Sequence, residues 1–156
     1  SMRHPGTATL VDLDSGEVTW AMKGSWLGQH LARALPNGHF TLFDNYGSFR
    51  QNNMTRMLEI DPVDARIAWR YEGSAEHPFE SLLRGAAITL PNGNRLITET
   101  DGGRLFELAP DGEIVWEFVN PVRAGDQDEF IPVVSSGQRM TAEQMTPAFR
   151  SRVESP

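Results

Sequence analysis

The chain has 156 residues, of which 39% are hydrophobic and 22% are charged, and it contains no cysteine. This size suits one packed domain, and the lack of cysteine excludes a disulfide framework or a thiolate metal site. The net charge of −7, with Lys23 as the only lysine, argues against binding to nucleic acid or to an anionic membrane. No apolar run is long enough to span a bilayer, and residues 2–6 lack an apolar signal core. We therefore expect a cytoplasmic protein, or a periplasmic one if a signal peptide has been removed.

Short apolar segments separated by turn residues predict β-strands along most of the chain. Pro36-Asn37-Gly38 and Pro91-Asn92-Gly93 are typical of tight hairpins, because asparagine and glycine tolerate the positive φ that such turns require. The sequence therefore predicts an all-β fold before residue 120. The expected strands cover residues 8–13, 17–21, 31–35, 39–44, 56–60, 66–71, 85–90, 94–99, 104–108 and 113–118.

The strands belong to a repeated unit. Leu90-Pro91-Asn92-Gly93 repeats Leu35-Pro36-Asn37-Gly38, and on that alignment Glu99 falls on Asp44, Arg84 on Gln29 and Gly85 on His30. Trp20, Trp69 and Trp116 recur at about the 40–50-residue period of a β-propeller blade, and we interpret them as packing residues between blades. The repeat predicts about three four-stranded propeller blades in the chain.

The expected domain is a half-propeller over residues 1–150. It consists of a half blade at 7–21, a blade at 29–71, a blade at 84–118, and a partial blade with a short helix at 129–150. The partial blade would contain a strand at Phe130 to Val134. Thr141 to Gln144 reads as a capping box that opens the helix, which Pro147 then ends or kinks. Residues 151–156 are expected to be a frayed tail.

An open arc of blades leaves apolar faces and unpaired strand edges in water. Two copies related by a twofold axis would remove both by closing a six-bladed ring, so we expect a homodimer. In that dimer, Leu10 and Val11 of one chain would meet the strand Phe130 to Val134 of the other.

The order and spacing of several short motifs resemble the arylsulfotransferase propellers. The motifs are Gln29-His30, the two Leu-Pro-Asn-Gly turns, Phe43-Asp44-Asn45, Arg56, Leu58-Glu59, Gly85, Gly103 to Glu107 and Asp111 to Glu117. The resemblance covers roughly Trp26 to Pro121, most of the chain. The resemblance implies a six-bladed propeller that moves a sulfuryl group between phenols, with histidines and an arginine in its central channel. It also implies that this chain is about half the usual length. The family's acidic residue after Gln-His is Leu31 here.

The resemblance and the chemistry of sulfuryl transfer select candidate site residues. Transfer through a covalent intermediate needs a neutral nucleophile and a cation near the non-bridging oxygens. His30, just before an innermost strand, and Arg84, at the equivalent of Gln29 one blade away, are the candidate catalytic residues. Gln29, Asn45 and Arg56 are candidate ligand-binding residues. The polar loop Asn45 to Asn53, with Tyr46, Gly47 and Phe49, is longer than a tight turn and is also interpreted as functional.

Each of these residues also has a structural interpretation. A histidine ahead of a hairpin strand commonly bonds a neighbouring backbone carbonyl, and an arginine at a strand start commonly pairs with a carboxylate. His4, His39 and His77 are assigned no role, and we expect neither a metal nor a cofactor. Two functions therefore remain open. The first is a self-associating propeller protein that binds a small aromatic or anionic ligand, or a partner, at its channel. The second is a sulfuryl-transfer enzyme that moves sulfate from an aryl sulfate to a phenol through His30.

Overall fold

The computed structural model describes residues 1–47 and 54–154, which form ten β-strands, a short 3-10 helix and one α-helix. All ten strands expected before residue 120 are confirmed, with ends that shift by at most two residues. The strands are β1 Thr7–Val11, β2 Val18–Lys23, β3 His30–Ala34, β4 Phe40–Asp44, β5 Arg56–Ile60, β6 Ile67–Glu72, β7 Ala86–Thr89, β8 Arg95–Glu99, β9 Arg104–Leu108 and β10 Ile114–Val119.

The strands form three antiparallel sheets. The first sheet contains β1 and β2, the second contains β3 to β6 in chain order, and the third contains β7 to β10 in chain order. The all-β prediction is thus confirmed, and the two four-stranded sheets span residues 30–72 and 86–119.

The repeated turn motif produces the same local geometry in both four-stranded sheets. Gly38 has φ +87° and donates from its N–H to Leu35 O, while Gly93 has φ +85° and donates to Leu90 O. Only glycine adopts such angles without strain, so each Leu-Pro-Asn-Gly motif fixes a hairpin between the first two strands of its sheet.

Two apolar clusters hold the three sheets together. Leu42 and Phe43 are adjacent in β4 and therefore point to opposite faces of the second sheet. Leu42 packs in a cluster with Ala8, Trp26, Phe40, Leu58 and Ile60, on the side of the first sheet. Phe43 packs in the other with Met57, Phe79, Ala87, Ile97, Phe106 and Leu108, on the side of the third sheet. The second sheet therefore lies between the other two.

The tryptophans expected to pack between blades differ in environment. Trp20 of the first sheet contacts Phe40 of the second edge-on, at 5.7 Å between ring centroids. Trp69 of the second sheet lies under the guanidinium of Arg95 of the third, 3.8 Å from the ring centroid. Trp116, on the third sheet, remains 49% exposed.

The expected strand at Phe130 to Val134 is wrong. Phe130 makes only an isolated bridge to Ala124, and the following residues are irregular. Pro132 explains part of the difference, because proline cannot donate to a strand ladder, and its carbonyl accepts from the side chain of Asn120. The segment instead packs on the third sheet, where Ile131 lies against Gly103.

The helical end of the chain also differs from expectation at Pro147. The capping box at Thr141 forms, and its 3-10 helix spans Ala142–Gln144. Pro147 neither ends nor kinks that helix but occupies the first position of α1, Pro147–Glu154, where its fixed φ is compatible with a helix start. Residues 151–154 therefore belong to α1, and residues 155–156 lie outside the described residues. Neither helix of the described residues is long and apolar enough to cross a membrane.

Candidate functional site

His30 begins β3 at an irregular point of the second sheet. It pairs with Phe43 of β4, and the register then shifts before Arg33. Leu31, the next residue, has φ +52°, a left-handed conformation that costs a side-chain-bearing residue roughly 1–2 kcal/mol. Strain of this kind often accompanies a functional residue. We call the edge where β3 begins and β4 ends the His30 edge.

Asn45 holds the imidazole of His30 in one orientation. Its side-chain amide donates from Nδ2 to the carbonyls of Ser81 at 2.6 Å and Arg84 at 2.7 Å. Two carbonyl acceptors fix which end of the amide is nitrogen, so Asn45 Oδ1 is the atom 2.6 Å from His30 Nδ1. Because an amide oxygen only accepts, His30 Nδ1 carries the proton, and Nε2 of the neutral ring carries the lone pair.

A buried network fixes the connector that carries Arg84. Ser81 N–H donates to Thr55 Oγ1 at 2.8 Å, and Thr55 Oγ1 donates to Asn45 O at 3.0 Å. Ser81 Oγ donates to Arg84 O at 2.7 Å. Thr55 and Ser81 are buried, whereas the side chain of Arg84 is exposed. The backbone of Arg84 is therefore attached to the residue that orients His30, and its side chain is exposed.

Asn45, interpreted from the sequence as a ligand-binding residue, lies inside the fold. The residue is fully buried, and both ends of its amide are engaged with the protein. Its position therefore suits a residue that orients His30 rather than one that contacts a ligand.

Arg56 is engaged within the fold. Its Nε and Nη2 donate to Asp44 Oδ2 at 3.0 and 2.5 Å, and Nη2 also donates to Ser25 O at 2.9 Å. Burial raises the pKa of Asp44, an effect opposed by the N–H of Leu27 and by Arg56. The Arg56 side chain is only 6% exposed, so these contacts fit the structural interpretation of Arg56.

Gln29 connects the His30 edge to the first residues of the chain. Its Nε2 donates to Met2 O at 2.8 Å, and its Oε1 is buried without a hydrogen-bond partner in the described part of the chain. Arg3 also lies near the His30 edge: its guanidinium lies over the ring of Tyr46, the residue after Asn45. Tyr46 in turn packs so closely on Gly28 that a Cβ there would overlap the ring.

The remaining sequence-based expectations fall outside these contacts. Residues 48–53 of the loop interpreted as functional, Phe49 included, lie outside the described residues. Among the described residues, no group of three or more histidine and carboxylate side chains could hold a metal ion. The sequence analysis did not select Thr55, Ser81 or Arg3. Only Thr55 had a possible signal in the sequence, because it is a polar residue next to the expected strand 56–60.

Comparison with known proteins identifies structural relatives and one family. A crystal structure of a protein of unknown function from Bacteroides caccae superposes with a TM-score of 0.54 at 16% identity, which shows a shared fold. The match covers 74% of this chain and 43% of that one, so this chain spans less than half the length of its relative. No curated protein matches the sequence. The family model described as arylsulfotransferase (ASST) matches residues 1–121, most of the chain, and the chain therefore belongs to the arylsulfotransferase family.

Proposed function

We propose that His30 is the nucleophile of a sulfuryl transfer from an aryl sulfate to a phenol. The observation that carries this proposal is the 2.6 Å hydrogen bond from His30 Nδ1 to Asn45 Oδ1. In the neutral ring, this bond places the proton on Nδ1 and leaves the lone pair on Nε2, which is the form that a nucleophilic imidazole requires. Membership of the arylsulfotransferase family supports the same chemistry.

The transfer takes place in two displacements at sulfur. In the first, the Nε2 lone pair forms an N–S bond while the bond from sulfur to the aryl oxygen breaks, and the phenolate leaves with that electron pair. The ring is then a sulfurylated imidazolium, whose remaining N–H still donates to Asn45 Oδ1. In the second, the acceptor phenol oxygen attacks sulfur, the N–S pair returns to Nε2, and the acceptor's proton neutralises the released phenolate.

Arg84 would supply the positive charge for this reaction. The sulfuryl group keeps its three non-bridging oxygens through both displacements, and a guanidinium beside these oxygens stabilises their negative charge. The exposed side chain of Arg84 starts from a backbone that Asn45 and Ser81 hold in place. One amide, that of Asn45, therefore fixes both the nucleophile and the connector that carries the cation.

Turnover tests the proposal directly. Purified protein is incubated with an aryl sulfate donor and a phenol acceptor, and released phenol is measured for the wild type, His30→Ala and His39→Ala. We expect His30→Ala to abolish turnover and His39→Ala, a histidine away from the His30 edge, to retain it. No turnover over a broad donor panel would reject the enzymatic proposal.

Ligand binding without chemistry is the second candidate, and two observations favour it. Arg56 is occupied by Asp44, and Leu31 replaces the family's acidic residue beside the histidine. In this case, an aryl sulfate would bind at the His30 edge, remain intact, and lose affinity in Arg84→Ala. Equilibrium binding measured alongside turnover distinguishes the two candidates.

We further propose that the sheets are blades of a propeller ring that a second copy completes. The proposal is supported by apolar side chains left in water on the first and third sheets, including Val11 of β1 at 48% and Val119 of β10 at 42% exposed. Because residues 130–134 form no strand, the contact would join sheet faces rather than add a strand. A twofold ring would place two copies of His30 around one channel. Light scattering tests it: we expect a dimer that Val11→Glu dissociates, and a folded monomer would reject it.

A further inference from the structure

The interface between the second and third sheets contains a guanidinium-binding arrangement. Arg95 of β8 stacks on Trp69 at 3.8 Å and donates to Glu59 Oε2 at 2.5 Å. The other oxygen of Glu59 accepts from Asn37 and His39, which belong to the hairpin turn of the same sheet. The Arg95 side chain is only 11% exposed. A planar cation is therefore held between an indole face and a carboxylate.

The third sheet repeats the part of this arrangement that binds the guanidinium, namely a tryptophan paired with a glutamate. Trp116 pairs with Glu107 across β10 and β9, as Trp69 pairs with Glu59 across β6 and β5. Glu107 Oε1 accepts from Asn94 at 2.6 Å, the counterpart of the contact from the turn to Glu59. Burial alone would raise the pKa of Glu107, but the asparagine contacts and the charge of Arg139 lower it, so the carboxylate is ionised at neutral pH.

A cavity of about 590 Å³ lies beside Trp116 and Glu107, within the usual size range of small-molecule sites. Its wall includes Asn92 and Asn94 as well as the indole and the carboxylate. Arg139 pairs with Glu107 Oε2, the oxygen equivalent to the one that Arg95 takes on Glu59. The Arg139 side chain is 56% exposed, and Trp116 keeps half of its surface in water. Arg139 thus fills the ionic part of the site and leaves the indole open.

The geometry points to a second binding site at this cavity, for a guanidinium group that stacks on Trp116 and pairs with Glu107. Such a ligand gains the cation–π contact in addition to the ion pair, whereas Arg139 makes the ion pair from an exposed side chain, where it is worth little. The guanidinium would displace Arg139 from Glu107. It could belong to a small molecule or to an arginine of a polypeptide, and the chemistry is the same in both.

Titration with N-acetyl-arginine amide tests the site. For a ligand of this size we expect a Kd of about 1 mM, followed by the indole N–H signal of Trp116 in NMR spectra. The matched uncharged probe is N-acetyl-citrulline amide, which should bind at least about tenfold more weakly because it cannot form the charge-assisted pair. Ethylguanidinium separates the two sources: equal affinity indicates a small-molecule site, and weaker affinity indicates an arginine of a polypeptide.

Three variants make the test specific. Glu107→Gln should weaken binding by about tenfold or more, while Glu113→Gln, the same change at a nearby exposed turn, should leave it unchanged. Arg139→Ala should strengthen binding, because it removes the competitor. Equal binding of the citrulline probe, or unchanged binding in folded Glu107→Gln, would overturn the proposal. So would weaker binding in Arg139→Ala.

Discussion

The second and third sheets share a framework, but the His30 edge of the second sheet differs from the equivalent edge of the third. Each has an acid–arginine pair across its two central strands, Asp44 with Arg56 in the second sheet and Glu99 with Arg104 in the third. A pair that recurs in both sheets belongs to the framework, which is why Arg56 is better explained by folding than by ligand binding.

The two sheets differ where the second carries His30 and Asn45. The aligned positions of the third sheet hold Gly85 and Thr100. Gly85 has φ +151°, and a Cβ there would lie 2.1 Å from the ring of Phe43, so packing alone requires glycine. Thr100 is buried, and its Oγ1 has no hydrogen-bond partner among the described residues. The imidazole and its orienting amide are thus an addition to one sheet, as expected for a functional site rather than a structural repeat.

The largest expected effect is on the shared framework. Arg56→Met should lower the free energy of unfolding by about 3–5 kcal/mol, because it leaves the carboxylate of Asp44 buried and unpaired. Adding Asp44→Asn should recover part of the loss, since a neutral amide is less costly to bury. Urea denaturation at pH 7 measures both. A loss below about 1 kcal/mol would contradict a framework role for the pair.

The next effect separates Asn45 from its counterpart Thr100. Asn45→Ala should cost about 2–3 kcal/mol, because the carbonyls of Ser81 and Arg84 each lose a hydrogen bond, and it should free the imidazole of His30 to rotate. Thr100→Val should be neutral or stabilise by up to about 1 kcal/mol, because it removes a buried hydroxyl that has no partner. Thermal unfolding measures the stabilities, and NMR of the His30 ring nitrogens measures the tautomer. A single Nδ1–H tautomer retained in Asn45→Ala would show that other groups orient the ring.

Most strand positions could be predicted from the sequence, because they depend on local turn residues. Features that depend on contacts between distant residues could not. The two Leu-Pro-Asn-Gly turns set strand positions, because the turn requirement lies in those four residues themselves. His30 could be selected from the sequence, but its orientation depends on Asn45 bonding carbonyls 36 and 39 residues away. Backbone carbonyls have no sequence signature. The strand prediction at Phe130 to Val134 was wrong for a related reason. A short apolar run can form a strand or can cover a sheet, as Ile131 does against Gly103.

Acid should weaken the contact between the second and third sheets. Burial alone would raise the pKa of Glu59, but hydrogen bonds from His39 and Asn37 and the charge of Arg95 bring it below the ordinary 4.5. A carboxyl with a lowered pKa in the folded state adds stability above its unfolded pKa and loses it as the pH falls through the folded value. Glu59→Gln should therefore cost about 1–2 kcal/mol at pH 7 and progressively less below pH 4.5. A pH-independent difference would mean that the charge of Glu59 is not what stabilises the contact.

The smallest effect concerns the turns between the last two strands of each sheet. Gly16 and Gly112 have positive φ in the first and third sheets, whereas the second sheet has Ala65 at φ +62°. A Cβ at Gly16 or Gly112 would meet no atom within 4 Å, so the cost of a side chain there is backbone strain alone. Ala65→Gly should stabilise the protein by about 0.5–1 kcal/mol, and Gly112→Ala should destabilise it by about 1 kcal/mol. In a domain of this size, each change shifts Tm by roughly 2–4 °C, in opposite directions. Calorimetry of both variants and of the double variant, in which the shifts should largely cancel, measures the effect, and a fall in Tm for Ala65→Gly would show that the alanine side chain stabilises its turn.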